Sequence, residues 1–126
     1  MGRVAIYARE TTGGGRRQQD RQVTALAAEV ARRPGWRHVA TYADQAPGGS
    51  RPGLARLLAE APGHIDLVAV DGYGRLSADR HELAAILDQL RRAGVGVVVL
   101  RPSRGRRLAK LMANLALADL IGEAAR

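Results

Sequence analysis

Four short apolar runs, each followed by a stretch of helical period, leave this chain few folds to adopt. Residues 3–7, 65–70 and 95–100 read as strands, with Val4 to Tyr7, Leu67 to Val70 and Val97 to Leu100 apolar in a row, as strands buried on both faces are. Residues 36–42 alternate instead, with Trp36, His38, Ala40 and Tyr42 set against Arg37, Val39 and Thr41. Between the runs, Val23, Leu26, Ala27 and Val30 share one helical face within residues 16–33. Leu54, Leu57, Leu58 and Ala61 make a second apolar face, and Leu83, Ile86, Leu87 and Leu90 a third. Pro34-Gly35, Pro62-Gly63 and Gly94 end these helices. Ser50 is expected to cap the second helix, with Pro52 in its first turn, and Asp79 to cap the third. Residues 108–125 form a last helix with Leu108, Leu111, Met112, Leu115, Leu117, Leu120 and Ile121 around more than half its circumference. The order β-α-β-α-β-α-β-α predicts an α/β fold: one domain over residues 1–126, a mostly parallel sheet flanked by helices, and a long C-terminal helix. A helix that apolar needs a cover, either the sheet or a second chain.

The core must be built from Leu, Val, Ile and Ala, because the chain has 3 Tyr, 1 Trp and no Phe. With no Cys, disulfides, cysteine–zinc sites and thiol catalysis are excluded. His38, His64 and His81 lack ligand spacing, so no metal is expected. No apolar run reaches membrane-span length and no signal peptide is visible, so a cytoplasmic protein is expected. The 20 basic residues outweigh the 12 acidic ones, leaving a net charge of +8. Only Lys110 among them is a lysine. Such an excess points to a polyanionic partner, DNA above all.

Polar residues gather where the strands end. Arg9, Thr11 and Thr12 follow the first strand; Asp44, Ser50 and Arg51 follow the second; Asp71 and Arg75 follow the third. Ligands of open α/β sheets sit outside the carboxyl ends of the strands. If these loops meet, arginines surround a hydroxyl, the grouping that phosphoryl transfer uses. If they do not, each arginine is a separate solvated residue. Gly13-Gly14-Gly15 lacks the lysine and hydroxyl of a Walker loop. Arg101, Arg104, Arg106 and Arg107 crowd the turn after the last strand, where they are expected to track a phosphate backbone.

The segments RVAIYARETT, GGSRPGL, IDLVAVDGYGRLSAD and VGVVVL occur in the order seen in the serine recombinases, the resolvase/invertase family, whose catalytic domain this chain resembles from Arg3 to Leu120. The resemblance implies serine attack on DNA phosphodiesters, a 5′-phosphoseryl link and strand exchange in a tetramer, with no metal or cofactor. It also implies that arginines hold the scissile phosphate and that the helix after the last core strand makes the dimer contact. Tyr7, Arg9, Gln22, Arg51, Arg75 and Asp79 match the family pattern. The serine position holds Thr11, preceded by Glu10; the aspartate before the third arginine is Gly74, and a further arginine is Ala78.

These departures weaken the chemistry. The methyl of Thr11 stiffens χ1 and crowds an in-line attack. Loss of one guanidinium at Ala78 removes about 3 kcal/mol of transition-state stabilisation, by analogy with single-donor losses. The chain also ends at Arg126 within the last helix, so no C-terminal DNA-binding domain is expected. Three functions fit: an impaired recombinase-like DNA-binding or regulatory protein; a phosphoryl-transfer enzyme with Thr11 as nucleophile; or the fold reused for a small anion or another reaction. The expected partners are DNA and a second chain, homodimeric or an active recombinase, held through Leu108 to Ile121, with no membrane.

Overall fold

The computed structural model describes residues 2–10, 15–45 and 50–101. Its elements are β1 (Gly2–Glu10), α1 (Gly15–Ala31), β2 (Trp36–Gln45), α2 (Pro52–Glu60), β3 (Leu67–Val70), a 3-10 turn (Tyr73–Arg75), α3 (Arg80–Arg92) and β4 (Gly96–Val99). The strands form one sheet in the order β2-β1-β3-β4, and all three pairings are parallel. The expected α/β architecture is therefore present. The helix over residues 108–125 and residues 102–107 of the basic turn before it lie outside the described residues; Arg101, the first of that turn, is exposed.

The apolar runs conceal a period of two. Val4 and Ile6 of β1, with Ala69, Val98 and Leu100, pack with Leu26 and Val30 of α1. Ala5 and Tyr7, with Val68, Val70, Val97 and Val99, pack with Leu54 and Leu57 of α2 and Ile86 and Leu90 of α3. Strands β1, β3 and β4 are buried on both faces, hence their lack of polar alternation. Tyr7, fully buried, is the largest of these core side chains.

β2 is an edge strand, and its register with β1 slips at one point: Val4 pairs with His38 but Ala5 with Ala40. Val39 is the extra residue of this bulge and the one large hydrophobic of the described residues that is exposed, at 40%. A bulge blunts an edge against pairing with another chain.

Two strand ends differ from expectation. β1 continues to Glu10 and β2 to Gln45, so Arg9 and Asp44 are strand residues, paired with one another in register, rather than loop residues. The cap of α2 also differs. Arg51, not Ser50, holds the N-cap position, and its side chain makes no capping bond. The carboxylate of Asp44 takes over that task from β2, as described below. Asp79 caps α3 as expected, accepting from the amides of His81 and Glu82 at 2.8 and 3.0 Å.

Strand order fixes where a ligand can enter. From β1 the chain steps outward to β2, then crosses back past β1 to β3 and continues to β4. The direction reverses between β1 and β3, so the crevice at the carboxyl ends of those two strands is the switch point.

Candidate functional site

β1 outruns β3 at this crevice. Their pairing ends at Ile6 with Ala69, and β3 itself ends at Val70. Beyond it, side chains bond the main chain of β1. The amide of Arg9 donates to Gln22 Oε1 at 3.1 Å, and Arg75 Nη1 donates to the Arg9 carbonyl at 2.9 Å. Half-buried backbone groups need such partners, and here two family-matched side chains supply them.

The three matched arginines meet around this point. Arg75 bonds Arg9 directly. Arg51 Nη1 donates to the carbonyl of Leu76, the residue after Arg75, and Arg51 Nη2 to Glu82 Oε1 on α3. Arg75 is also paired with Asp71, Nε to Oδ1 at 2.7 Å. Arg9 differs from both. Its Nε is buried with no hydrogen-bond partner among the described residues. A buried donor left unmade costs roughly 1–3 kcal/mol, and no acceptor among the described residues offsets that cost at this edge.

Beneath the arginines lies a buried polar pair. Asp44, 5% exposed, accepts from the Tyr7 phenol at 2.7 Å and from the amides of Gly53 and Leu54 at 2.7 and 2.8 Å. The two amides are orphan donors at the start of α2, and the helix dipole favours the negative charge there. Gly53 is needed for this approach: a Cβ on it would lie 2.5 Å from the Ala43 carbonyl oxygen. Burial pushes the Tyr7 phenol well above its ordinary range and the bond to Asp44 adds to this, while the charges of Arg9 and Arg51 act the other way. Both guanidiniums thus lie within electrostatic reach of the Tyr7 oxygen. With three donors on its carboxylate, Asp44 is spent on holding α2, and with it Arg51, in place.

Gln19 was not apparent as a site residue. It is buried, and its Nε2 donates to the Asp44 carbonyl at 2.6 Å. Its spacing is the available signal: it lies one helical turn before Gln22, on the same face of α1. Asp79 belongs to the cap of α3, and its own amide donates to Ser77 Oγ at 3.0 Å. Gly74 and Ala78 are exposed. Thr11, Thr12, Arg104, Arg106 and Arg107 lie outside the described residues. Among the described residues no group of three metal-ligating side chains occurs, and no helix is long and apolar enough to cross a membrane.

Comparison with known proteins agrees with this architecture. No curated protein matches the chain. Among solved structures, the C-terminal catalytic domain of ISC1926 TnpA, an IS607-like serine recombinase, superposes with a TM-score of 0.69 at 22% identity, covering 90% of this chain and 80% of that one. The N-terminal catalytic domain of TP901-1 integrase gives 0.62 at 25% identity, covering 96% and 95%. A resolvase family site-specific recombinase from Streptococcus pneumoniae gives 0.69 at 17% identity, covering 98% and 88%. The family model for the resolvase N-terminal domain matches residues 4–125. That match spans nearly the whole sequence, and the chain therefore belongs to the resolvase N-terminal domain family.

Proposed function

We propose that this member of the family binds the DNA backbone with Arg9, Arg51 and Arg75 on one phosphate, and that its strand-cleaving chemistry is impaired. The observation that carries the reading is the buried Nε of Arg9, which has no hydrogen-bond partner among the described residues, at the edge where the other two arginines arrive. A phosphodiester oxygen is the acceptor this donor lacks, and guanidiniums take such oxygens in pairs. The net charge of +8 adds a long-range attraction to the same partner. Impairment is supported by Thr11 in the nucleophile position and by the missing side chains at Gly74 and Ala78. The apolar residues from Leu108 to Ile121 are assigned to pairing with a second recombinase-type chain, its own copy or an active relative.

A salt series of binding to labelled duplex DNA tests the reading. Affinity should fall steeply with salt, and Arg9→Gln should make the log–log slope shallower by about 1. Incubation with the same DNA should leave no covalent adduct. An adduct that Thr11→Ala abolishes would instead establish Thr11 as a working nucleophile. Absence of DNA binding at low salt, with stabilisation by inorganic phosphate, would assign the arginines to a small anion.

A further inference from the structure

All three nitrogens of the Arg75 guanidinium are hydrogen-bonded within the protein. Nε donates to Asp71 Oδ1 at 2.7 Å and Nη2 to Oδ2 at 3.4 Å, while Nη1 reaches the Arg9 carbonyl at 2.9 Å. Two acceptors on different strands' ends thus fix the plane of the guanidinium across the β1–β3 crevice. Asp71 is the first residue after β3 and stands four before Arg75. Gly72, Tyr73 and Gly74 between them bring no acid, and a Cβ at Gly74 would meet nothing within 4 Å. Both partners are about three-quarters shielded, their side chains 28% and 24% exposed.

We propose that Asp71 is the positioning residue for Arg75. Its carboxylate holds the guanidinium in the crevice before DNA arrives, from a place in the chain where the neighbouring residues offer no acid. The inference rests on the reading of Arg75 as a phosphate ligand. Two effects of the carboxylate oppose each other. Its negative charge repels a phosphate, while its grip removes the rotamer freedom that Arg75 would otherwise lose on binding. The sign of the change in Asp71→Asn therefore tells them apart.

The experiment is the duplex-binding salt series on the full chain with Arg75→Gln, Asp71→Asn, Asp71→Glu and the double variant Asp71→Asn/Arg75→Gln. Arg75→Gln should lower the slope by about 1. Asp71→Asn should lower it equally and weaken binding about fivefold at the lowest salt, which a simple loss of negative charge does not do. Asp71→Glu, which keeps the charge, should restore the slope, and the double variant should match Arg75→Gln alone. Thermal melting checks the fold, and Asp71→Ser takes the place of Asp71→Asn if the latter fails to fold. Tighter binding with an unchanged slope in Asp71→Asn, beside a weakened Arg75→Gln, overturns the positioning role and leaves the phosphate reading standing. An unchanged slope in Arg75→Gln overturns both.

Discussion

Tyr7, fully buried on β1, donates its phenol to Asp44 at 2.7 Å, and Asp44 in turn accepts the first amides of α2. One carboxylate thus joins the central strand, an edge strand and a helix that carries a site arginine at its N-cap. The neighbours of Asp44 depend on it more than it depends on any one of them. Asp44→Ala leaves a phenol and two amides without a partner and should lower stability by about 3 kcal/mol, at roughly 1–3 kcal/mol per orphaned buried group. Tyr7→Phe removes one donor and should cost only about 1 kcal/mol. Urea denaturation of both variants measures the difference, and equal losses would contradict the ranking.

Gly53 has no room for a side chain, since its added Cβ would sit 2.5 Å from the Ala43 carbonyl oxygen. Gly53→Ala pushes α2 off β2 and should cost about 2 kcal/mol, within the range for overpacked sites. The same substitution at Gly74, where a Cβ meets nothing within 4 Å, should be close to neutral. Parallel melting curves of the two variants decide this.

Glu82 holds Arg51 in the unbound protein, and its side chain is 46% exposed against 16% for Arg51. Under the proposed function, a phosphate competes with it for the same guanidinium. Glu82→Gln should therefore tighten duplex binding by a few-fold, since an ion pair this exposed is worth up to about 1 kcal/mol. The gain should vanish in an Arg51→Gln background. A gain that persists there would mean that Glu82 acts only through overall charge.

At the outer edge of the sheet the Tyr42 phenol donates to Glu60 at 2.6 Å. Burial, then this bond, raises the Tyr42 phenol from 10.0 to about 12. A folded-state value above the unfolded one means stability that is complete below pH 10 and is lost as the pH rises towards about 12. Tyr42→Phe should remove that part of the alkaline loss. Guanidinium titrations at pH 9 and pH 11 read the effect, and an unchanged pH dependence in Tyr42→Phe would exclude it.

At the opposite end of the sheet the Arg3 side chain and amide bond Asp66 and hold its carboxyl below the ordinary range. A depressed carboxylate contributes stability above its unfolded value of 3.8, and that contribution is lost as the pH falls further. Asp66→Asn should be less stable than the parent at pH 6, and the two should converge in stronger acid. A constant gap between their urea midpoints down to pH 2 would show that the ion pair is not its cause.

Much of the fold was legible because apolar residues recur with the right period. The strands at Ile6, Val68 and Val98, the leucine faces of α2 and α3, and the Asp79 cap are all local signals. What escaped is non-local. Arg9 and Glu10 look like loop residues in sequence, yet β1 continues through them because β2 pairs along its full length. Ser50 has the chemistry of a cap, but Asp44 reaches α2 from β2, ten residues before Leu54. The grouping of Arg9, Arg51 and Arg75 was readable only as a possibility, since spacing alone does not say which loops meet. That Arg75 leans on Asp71 rather than on a nearer residue depends on the turn between them, which no periodicity encodes.

The two side chains that bond the main chain of Arg9 come from far apart, 13 residues away on α1 for Gln22 and 66 residues away for Arg75. Neither can arrive unless its own crossover has already docked on the sheet. The site is consequently an interlock: an incompletely folded chain, or one nicked between β2 and β3 and separated, presents its arginines scattered and cannot grip a phosphate with all three. If the three arginines hold a phosphate as proposed, affinity for it doubles as a report on whether this domain has finished folding.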